Sequence, residues 1–292
     1  MYSRKEFTEN INAATSIKSI TTIYQEIASL RMNQLKDKVA RTSAFLDGVA
    51  EIYNHAKSAY IDIIKSQTVK KDKAYKELKF IKRNGKTVLV FLSANEHLYG
   101  ELILNVWDKF REDKRQTGLD GVVVGTFGKY LVKNESGLDD NVKYFDLDDD
   151  KPGQDQINKI LDYISKYEQI FVYYGRLITV LNQSPTKEQI SGGATLEQKV
   201  ASKKYLFEPS PQKILEFFET EIISALFNQK VFDHQLSRFA SRMVAMDQAT
   251  ENANEIIKKL DRQYKTIKRR VLNKKQQDVF SGILLWNKGV NP

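Results

Sequence analysis

The sequence predicts an α/β domain inserted between two long helices that pair as an antiparallel coiled coil. Three observations support this fold class. Apolar residues recur every 3.5 residues on average over residues 232–271, neither glycine nor proline occurs in residues 2–47 or 212–281, and the intervening apolar runs alternate with helical patterns. We expect an N-terminal helix of the shaft at residues 1–68, an α/β domain at residues 85–205 and a C-terminal helix of the shaft at residues 211–286.

The N-terminal helix carries two apolar stripes with alternating steps of three and four residues. One consists of Ile20, Ile23, Ile27 and Leu30, and the other of Val39, Thr42, Leu46, Val49, Tyr53, Ala56, Tyr60 and Ile63. A five-residue step from Leu30 to Leu35 puts the stripes out of phase, which predicts a local change in the supercoil. Gly48 should cost only about 1 kcal/mol relative to Ala and should not break so long a helix.

The central region changes to short β-branched and apolar runs. Residues 87–93, 121–125 and 169–174 are predicted buried strands, and residues 98–110 and 157–167 are predicted helices. This alternation indicates a partly parallel sheet covered by helices. Residues 184–204, which contain Pro185, Gly192 and Gly193, are predicted to form an exposed loop.

The C-terminal helix is predicted to start after Pro211, because Pro209 and Pro211 disfavour helix before them. Its apolar seam consists of Phe232, Leu236, Phe239, Met243, Met246, Thr250, Ala253, Ile257, Leu260, Tyr264, Ile267 and Val271. Such a seam must be buried against a partner helix, and the N-terminal helix is the simplest partner.

Charge and composition limit the function without choosing it. The net charge is +9, and residues 258–275 contain nine Lys or Arg against the single acid Asp261. This excess suits an acidic protein partner, a nucleic acid or an anionic membrane. No apolar run is long enough to span a membrane, and the absence of cysteine excludes disulfides and thiol chemistry. We expect a cytoplasmic protein.

The usual catalytic and metal-binding motifs fail at specific positions. Residues 118–129 are rich in glycine, but Val123 and Tyr130 stand where a phosphate-binding loop needs its first Gly and its final Ser or Thr. Asp146, Asp148 and Asp150 alternate as in a calcium loop, yet Lys151 replaces the turn Gly and Ile157 the bidentate Glu. The three histidines, His55, His97 and His234, lack metal-ligand spacing. The chain alone is therefore not expected to be an enzyme.

Residues 239–252 carry a specific motif. The segment Phe239-Ala-Ser-Arg-Met-Val-Ala-Met-Asp-Gln-Ala-Thr-Glu-Asn252 resembles the A-R-M-x-A-M-x-x-A-T-x-N signature of the gamma subunit of F-type rotary ATPases. Residues 205–211 are similar to that family's Y-x-x-E-P-x-P segment, and residues 93–102 to its S-S-D-R-G-L-C-G-G-L segment. These similarities occur in the family's order along essentially the whole chain.

The resemblance implies a rotor with a Rossmann-like α/β domain near its foot and a coiled coil inside an alpha/beta hexamer. ATP or ADP and Mg²⁺ would then bind to the partner subunits, with no cofactor on this chain. An epsilon-type subunit and a membrane proteolipid ring are further candidate partners, on the inner face of the cell membrane. The residues expected to contact the alpha/beta hexamer are Leu30, Arg31, Met32, Arg242, Met243, Met246, Lys268, Arg269, Asn273, Lys274 and Lys275. Tyr205 and Glu208 are expected in the foot.

Two segments depart from the family pattern. Residues 272–275, Leu-Asn-Lys-Lys, replace I-T-Q-E, and only residues 26–32 represent the N-terminal I-T-x-A-M-x-M-V-A stretch. These departures leave open a specialised F-type-like motor, such as those of mycoplasmas, that is not coupled to proton translocation and drives, for example, gliding or surface machinery. A third hypothesis is a basic coiled-coil adaptor or nucleic-acid-binding protein, although duplex binding does not require the Arg242-Met243-x-Ala245-Met246 motif.

Overall fold

The computed structural model describes residues 4–67, 83–191, 208 and 211–289, with the backbone alone at residues 4, 61–67, 211–212 and 285–289. In chain order its elements are α1 (Arg4–Gln67), β1 (Thr87–Leu92), α2 (Leu102–Thr117), β2 (Asp120–Val124), α3 (Thr126–Lys133), β3 (Val142–Phe145), α4 (Gln154–Ile164), β4 (Gln169–Leu177), β5 (Gln183–Gln189) and α5 (Pro211–Gly289). The two long helices are confirmed, and α1 continues through Gly48, around which there is open space. No helix in these ranges is long and apolar enough to cross a membrane.

The chain divides into two compact units, and each long helix contributes to both. One unit contains residues 1–27 and 243–292, and the other contains residues 28–242. The division of the sequence at residues 1–68, 85–205 and 211–286 stays a prediction.

The larger unit contains a five-stranded sheet with the order β3-β2-β1-β4-β5. Strands β1 to β4 are parallel, and β5 pairs antiparallel with β4, which confirms a partly parallel sheet. The order β3-β2-β1-β4 is the one a Rossmann-type sheet has, with the chain first extending on one side of β1 and then returning to the other side.

Alternate residues of the central strands face two different apolar cores. Val88 and Val90 of β1 pack with residues of α4 and α5, including Ile160 and Phe227. Leu89 and Phe91 lie on the opposite face with α2 residues, including Val106, Trp107 and Phe110. The sheet is therefore covered by helices on both faces, and each large side chain buried in this way contributes about 1.5–3 kcal/mol to stability.

Several boundaries differ from those predicted. The loop predicted at residues 184–204 is wrong for residues 184–189, which belong to β5, while residues 192–204 lie outside the described residues. Helix α2 starts at Leu102 instead of residue 98 because Leu98 and Gly100 have positive φ angles. Helix α4 spans residues 154–164 instead of 157–167, and the short elements α3 and β3 had no sequence prediction.

The buried stripe of α1 differs from one of the two predicted stripes. Ile20, Ile23, Ile27 and Leu30 are 53%, 55%, 42% and 63% exposed, so their predicted place in the seam is wrong. Among the buried and half-buried positions of α1, one set forms an unbroken alternation of three and four: Phe7, Ile11, Ala14, Lys18, Thr21, Gln25, Ala28, Met32, Leu35, Val39, Thr42, Leu46, Val49, Tyr53, Ala56 and Tyr60. The seam therefore has no five-residue step. The predicted local change of the supercoil depended on the step from Leu30 to Leu35, so nothing in the seam supports it.

In the smaller unit, α1 and α5 run antiparallel. The hydroxyl groups of Thr21 and Thr250 form a hydrogen bond of 2.7 Å, and Gln25 Nε2 donates to Asp247 Oδ1 at 3.0 Å. The predicted α5 seam is confirmed from Met246 to Ile267, where its members are buried or half-buried.

Val271 is wrong as a member of the seam, because 51% of its surface is exposed. Since Thr21 faces Thr250 in an antiparallel pair, the start of α1 at Arg4 lies opposite the residues near Ile267. Residues 268–284 of α5 are all exposed.

Candidate functional site

The carboxyl ends of β1, β2 and β3 lie at one edge of the sheet, because the three strands are parallel. The segments that follow these strands meet α5 there in a group of polar side chains, all of them buried or partly buried except the exposed Glu96. We call this group the carboxyl-edge cluster: Ser93, Asn95, Glu96, Tyr99, Asp149, His234, Gln235, Arg238, Ser241 and Arg242. All of its members belong to the unit of residues 28–242.

Asp149 is the centre of the cluster and is only 6% exposed. Its Oδ2 accepts hydrogen bonds from the backbone amides of Asn95 and Glu96 at 2.9 and 2.8 Å and from the Tyr99 hydroxyl at 3.2 Å. Its Oδ1 accepts from Arg238 Nη1 in a buried ion pair. Both carboxylate oxygens are therefore satisfied without water.

One face of α5 supplies the opposite side of the cluster. His234, Gln235, Arg238, Ser241 and Arg242 recur at helical spacing, so their side chains project from the same face. Gln235 Nε2 and Arg238 Nη2 donate to the backbone carbonyl of Asp149 at 2.6 and 3.1 Å. Arg238 Nη1 also approaches the carbonyl of Ser93 at 3.3 Å. The helix is thus bonded to the segments after β1 and β3.

His234 bridges β4 and the end of β1. Its Nδ1 accepts the backbone amide of Gly175 at 2.9 Å, and its Nε2 donates to the carbonyl of Ser93 at 3.1 Å. These partners fix the neutral tautomer with the proton on Nε2. Burial lowers the pKa of His234 well below 6.5, and the neighbouring Arg238 charge lowers it further.

Two arginines lie against the ring of Tyr99. The guanidinium carbons of Arg242 and Arg238 are 4.1 and 5.2 Å from the ring centroid, within the range of cation–π interactions. Arg242 Nη2 donates to Glu96 Oε2 at 2.7 Å and to the carbonyl of His97 at 2.9 Å. Burial raises the pKa of Tyr99, so its hydroxyl stays a donor to Asp149.

Gly125 lets the end of β2 approach the segment after β1. It has a φ of 105°, and a Cβ there would lie 2.8 Å from the carbonyl oxygen of Ala94. With the two segments this close, Asn95 Oδ1 accepts the amide of Thr126 at 2.8 Å and Asn95 Nδ2 donates to the carbonyl of Leu147 at 2.9 Å. Asn95 therefore connects the segments that follow β1, β2 and β3.

The cluster joins elements of the larger unit through polar contacts. Its charged groups are engaged in ion pairs and hydrogen bonds, and the described residues contain no group of three or more side chains suited to a metal ion. In open α/β sheets, ligands usually bind outside the carboxyl ends of the strands where the strand order reverses. Here His234 of α5 occupies that position between β1 and β4, so the chain's own helix fills the crevice.

Comparison with known proteins defines the family. The family model described as ATP synthase matches residues 3–283. The chain belongs to this ATP synthase family. The ATP synthase gamma chain of Glaesserella parasuis serovar 5 (strain SH0165) is 23% identical over 300 residues, covering 97% of this chain and 99% of that protein. The resemblance to the gamma subunit that residues 239–252 indicated is thereby confirmed.

Two solved ATP synthase structures contain chains with a similar fold. A chain of the Euglena gracilis mitochondrial ATP synthase, OSCP/F1/c-ring, matches with a TM-score of 0.53 at 13% identity, covering 89% of this chain and 96% of that chain. A chain of the Tetrahymena thermophila mitochondrial ATP synthase central stalk and c-ring matches with a TM-score of 0.54 at 16% identity, covering 79% and 99%. These matches confirm the fold class of two long helices with a central α/β domain.

The predicted contact residues of this ATP synthase family member lie in different environments. Leu30 is 63% exposed, Arg31 lies 3.4 Å from Asp150 in a half-exposed ion pair, and Met32 is buried. Arg242 and Met246 are buried, and Met243 is half-buried. Exposed positions at the far end of α5 are Lys268, Arg269, Asn273, Lys274 and Lys275. Their role in partner contact stays a prediction.

Of the two residues predicted to lie in the foot, Glu208 is exposed and Tyr205 lies outside the described residues.

The cluster had no sequence prediction, although several of its members lie in the segments that resemble the gamma-subunit family. Arg242 is predicted to contact a partner, and His234 was considered only as a metal ligand, for which its spacing is wrong. Asp149 was passed over because the calcium pattern uses its neighbours Asp148 and Asp150. The available signal was the spacing of His234, Arg238 and Arg242 at four-residue intervals, which places them on one face of a helix.

Proposed function

We propose that this chain is the gamma-type central rotor shaft of an F-type or F-type-like rotary ATPase. In this role it couples ATP hydrolysis or synthesis in an alpha/beta hexamer to rotation. The match of the ATP synthase family model to residues 3–283 carries the proposal. The chain itself is non-catalytic, and ATP or ADP and Mg²⁺ bind to the partner subunits.

The charge distribution supports contact with an acidic partner at the far end of α5. Residues 268–284 are exposed along the whole circumference of the helix, and Lys268, Arg269, Lys274 and Lys275 have no neighbouring helix within the part of the chain that the structure describes. A partner that surrounds this end would neutralise the cations and cover apolar side chains such as Phe280 and Leu284, which are 67% and 64% exposed.

The carboxyl-edge cluster supports the transmission of torque from α5 to the sheet. Arg238 and Arg242 of α5 are held by Asp149 and Glu96, and His234 bonds to β4 and to Ser93, the residue after β1. Buried charge-assisted hydrogen bonds are short and directional, so they resist rotation of the helix about its own axis. In the proposed rotor, the α/β domain would turn with α5.

The sequence departures support a second candidate. Lys274 and Lys275 replace the last two residues of the family's I-T-Q-E segment, which changes an acidic position to a basic one. A specialised motor with different output, such as gliding, would keep the shaft and alter its contacts. Coupling to a proteolipid ring, an epsilon-type subunit and a place at the inner face of the cell membrane belong to the ordinary-synthase candidate.

Mass spectrometry of the complex that copurifies with the native chain tests both candidates. Alpha-type and beta-type ATPase subunits together with a proteolipid ring would support an ordinary synthase. The same ATPase subunits with other partners and no proteolipid would support a specialised motor. A complex lacking both ATPase subunits would overturn the rotor proposal.

A further inference from the structure

A small cavity lies behind the carboxyl-edge cluster. Its volume is about 10 Å³, and the residues around it include Ser93, Val124, Gly125, Leu147, Gln235 and Arg238. On the same measure of volume, a cavity needs roughly 10–15 Å³ to hold one water molecule. The cavity behind the cluster therefore has room for a single water and for nothing larger.

Three polar atoms of the lining side chains are buried without a hydrogen-bond partner among the described residues. They are Ser93 Oγ, Gln235 Oε1 and Arg238 Nε. The orientation of the Gln235 amide is fixed because its Nε2 donates to the carbonyl of Asp149 at 2.6 Å. Its Oε1 must therefore find a donor elsewhere.

The three atoms have complementary requirements. Arg238 Nε is a donor, Gln235 Oε1 is an acceptor, and the Ser93 hydroxyl can serve as either. A water molecule has two donor and two acceptor positions, and most buried waters make about three hydrogen bonds to such groups. A larger or charged ligand does not fit, because the volume is too small and the Arg238 charge is already paired with Asp149.

We propose that this cavity is a specific site for one structural water. The water accepts from Arg238 Nε, donates to Gln235 Oε1 and bonds to Ser93 Oγ. It connects the end of β1 to α5 and completes the polar contacts between them. This inference depends only on the fold of the unit of residues 28–242 and stands apart from the rotor function.

Nuclear magnetic resonance on the full chain labelled with ¹⁵N-arginine tests the site. We expect a cross-peak between the Arg238 Nε–H proton and water in both NOESY and ROESY spectra. The relative sign of this peak in the two spectra should be that of a dipolar contact with a long-lived water molecule. Gln235→Met removes one partner at similar side-chain length and should reduce the peak several-fold. The control Ser237→Ala should leave it unchanged, because Ser237 Oγ is also buried without a partner but does not line the cavity.

Three results would overturn the proposal: no dipolar cross-peak in the wild type, an undiminished peak in Gln235→Met, or an equal loss in Ser237→Ala. If Gln235→Met does not fold, Ser93→Ala replaces it with the same expectation. A crystal structure of the wild-type chain gives an independent answer. Density within hydrogen-bonding distance of all three atoms supports the site, and its absence at water-resolving resolution overturns it.

Discussion

Asp149 and Arg238 form an ion pair in which both side chains are only 6% exposed. Removing two charges from water is costly, and such a pair is stable only if the remaining hydrogen-bonding positions are satisfied. Asp149 meets this condition through two backbone amides and the Tyr99 hydroxyl. The pair therefore depends on a complete set of neighbours, and loss of one partner should be far more harmful than loss of an exposed ion pair.

The first prediction compares Arg238→Met with Arg176→Met. Arg238→Met leaves the Asp149 carboxylate buried without its counter-ion and should lower the free energy of unfolding by about 3–5 kcal/mol. Arg176 pairs with Glu188 but is 60% exposed, so Arg176→Met should cost at most about 1 kcal/mol. Urea denaturation of both variants measures the difference. If the two variants lose similar amounts of unfolding free energy, the buried ion pair contributes no more to stability than the exposed one.

The second prediction concerns the pH dependence of stability. His234 stays neutral in the folded chain because its pKa is lowered there, whereas in the unfolded chain it takes up a proton near pH 6.5. The unfolded state thus binds more protons as the pH falls. This histidine should therefore reduce stability by about 1.4 kcal/mol per pH unit below 6.5, until the pH reaches its folded-state pKa.

His234→Gln isolates this contribution. The variant should be less stable at pH 7.5, because it loses hydrogen bonds, yet its stability should fall less steeply between pH 6.5 and 5.0. The other two histidines are present in both proteins and cancel in the difference. Identical slopes for wild type and variant in denaturation series at these pH values would contradict the assignment of a buried neutral imidazole.

Apart from the regular spacing of His234, Arg238 and Arg242, the residues of the cluster could not be recognised from sequence, because burial decides their role. Asp149 stands in a run of three aspartates, and nothing in the run distinguishes the one that faces α5. The motif around Arg242 was visible, but the sequence alone suggested an outward role for a residue that is 4% exposed.

At the scale of elements, α1 shows how small residues can define a helical interface. Ala14, Thr21 and Ala28 occupy seam positions, while the larger Ile20, Ile23 and Ile27 face outward. Thr21 satisfies its hydroxyl through Thr250 and the carbonyl of Lys18. A prediction based on hydrophobicity alone places the isoleucines in the interface, which is the wrong face of α1. Strict heptad spacing identifies the buried face, through Phe7, Ala14, Thr21, Ala28 and Leu35.

The third prediction tests this register with one substitution at two positions. Ala28 is fully buried and Ala44 is exposed on the same helix. Ala28→Asp places an unpaired carboxylate in a packed interface and should destabilise the chain by more than about 2 kcal/mol. Ala44→Asp should cost only its helix propensity, about 0.7 kcal/mol or less. Thermal unfolding measures both, and a larger loss for Ala44→Asp would mean that the register is wrong.

Strand β5 was missed for a different physical reason. Its sequence, Gln183-Ser-Pro-Thr-Lys-Glu-Gln189, has no apolar residue and includes a proline, both of which indicate a loop. It is extended because β4 offers an unpaired edge and the turn at residues 178–182 returns the chain beside it. Tertiary pairing of this kind overrides local propensity.

At the scale of the whole molecule, the fold class was predictable because its signals repeat. The three-four spacing and the absence of glycine and proline extend over dozens of residues, so an error in phase over a few turns does not alter the conclusion. The central strands also stand out as apolar runs. Contacts between elements that are distant in sequence, such as those of Asp149, depend on single residues and leave no repeated pattern in the sequence.

The fourth prediction concerns the exposed basic end of α5 and rests on the proposed rotor function. Reversing Lys268, Arg269, Lys274 and Lys275 to Glu should weaken assembly with the alpha/beta hexamer roughly tenfold or more, because charge complementarity is replaced by repulsion. A matched control reverses four exposed lysines elsewhere: Lys133, Lys143, Lys151 and Lys166. Binding at two salt concentrations and the ATPase and rotation rates of the complex are the measurements. Unchanged binding and rates in the first variant would refute the role of this end.

Pro185 and Lys109 have a further consequence at the outer edge of the sheet. An edge strand exposes backbone donors and acceptors that another chain can use to add a strand. Pro185 has no amide hydrogen to offer, and Lys109 Nζ already donates to its carbonyl at 3.1 Å. Charges at Lys187 and Glu188 on the same strand further oppose stacking of chains. The polar composition that made β5 resemble a loop in the sequence thus protects the free chain from edge-to-edge aggregation before it assembles with its partners.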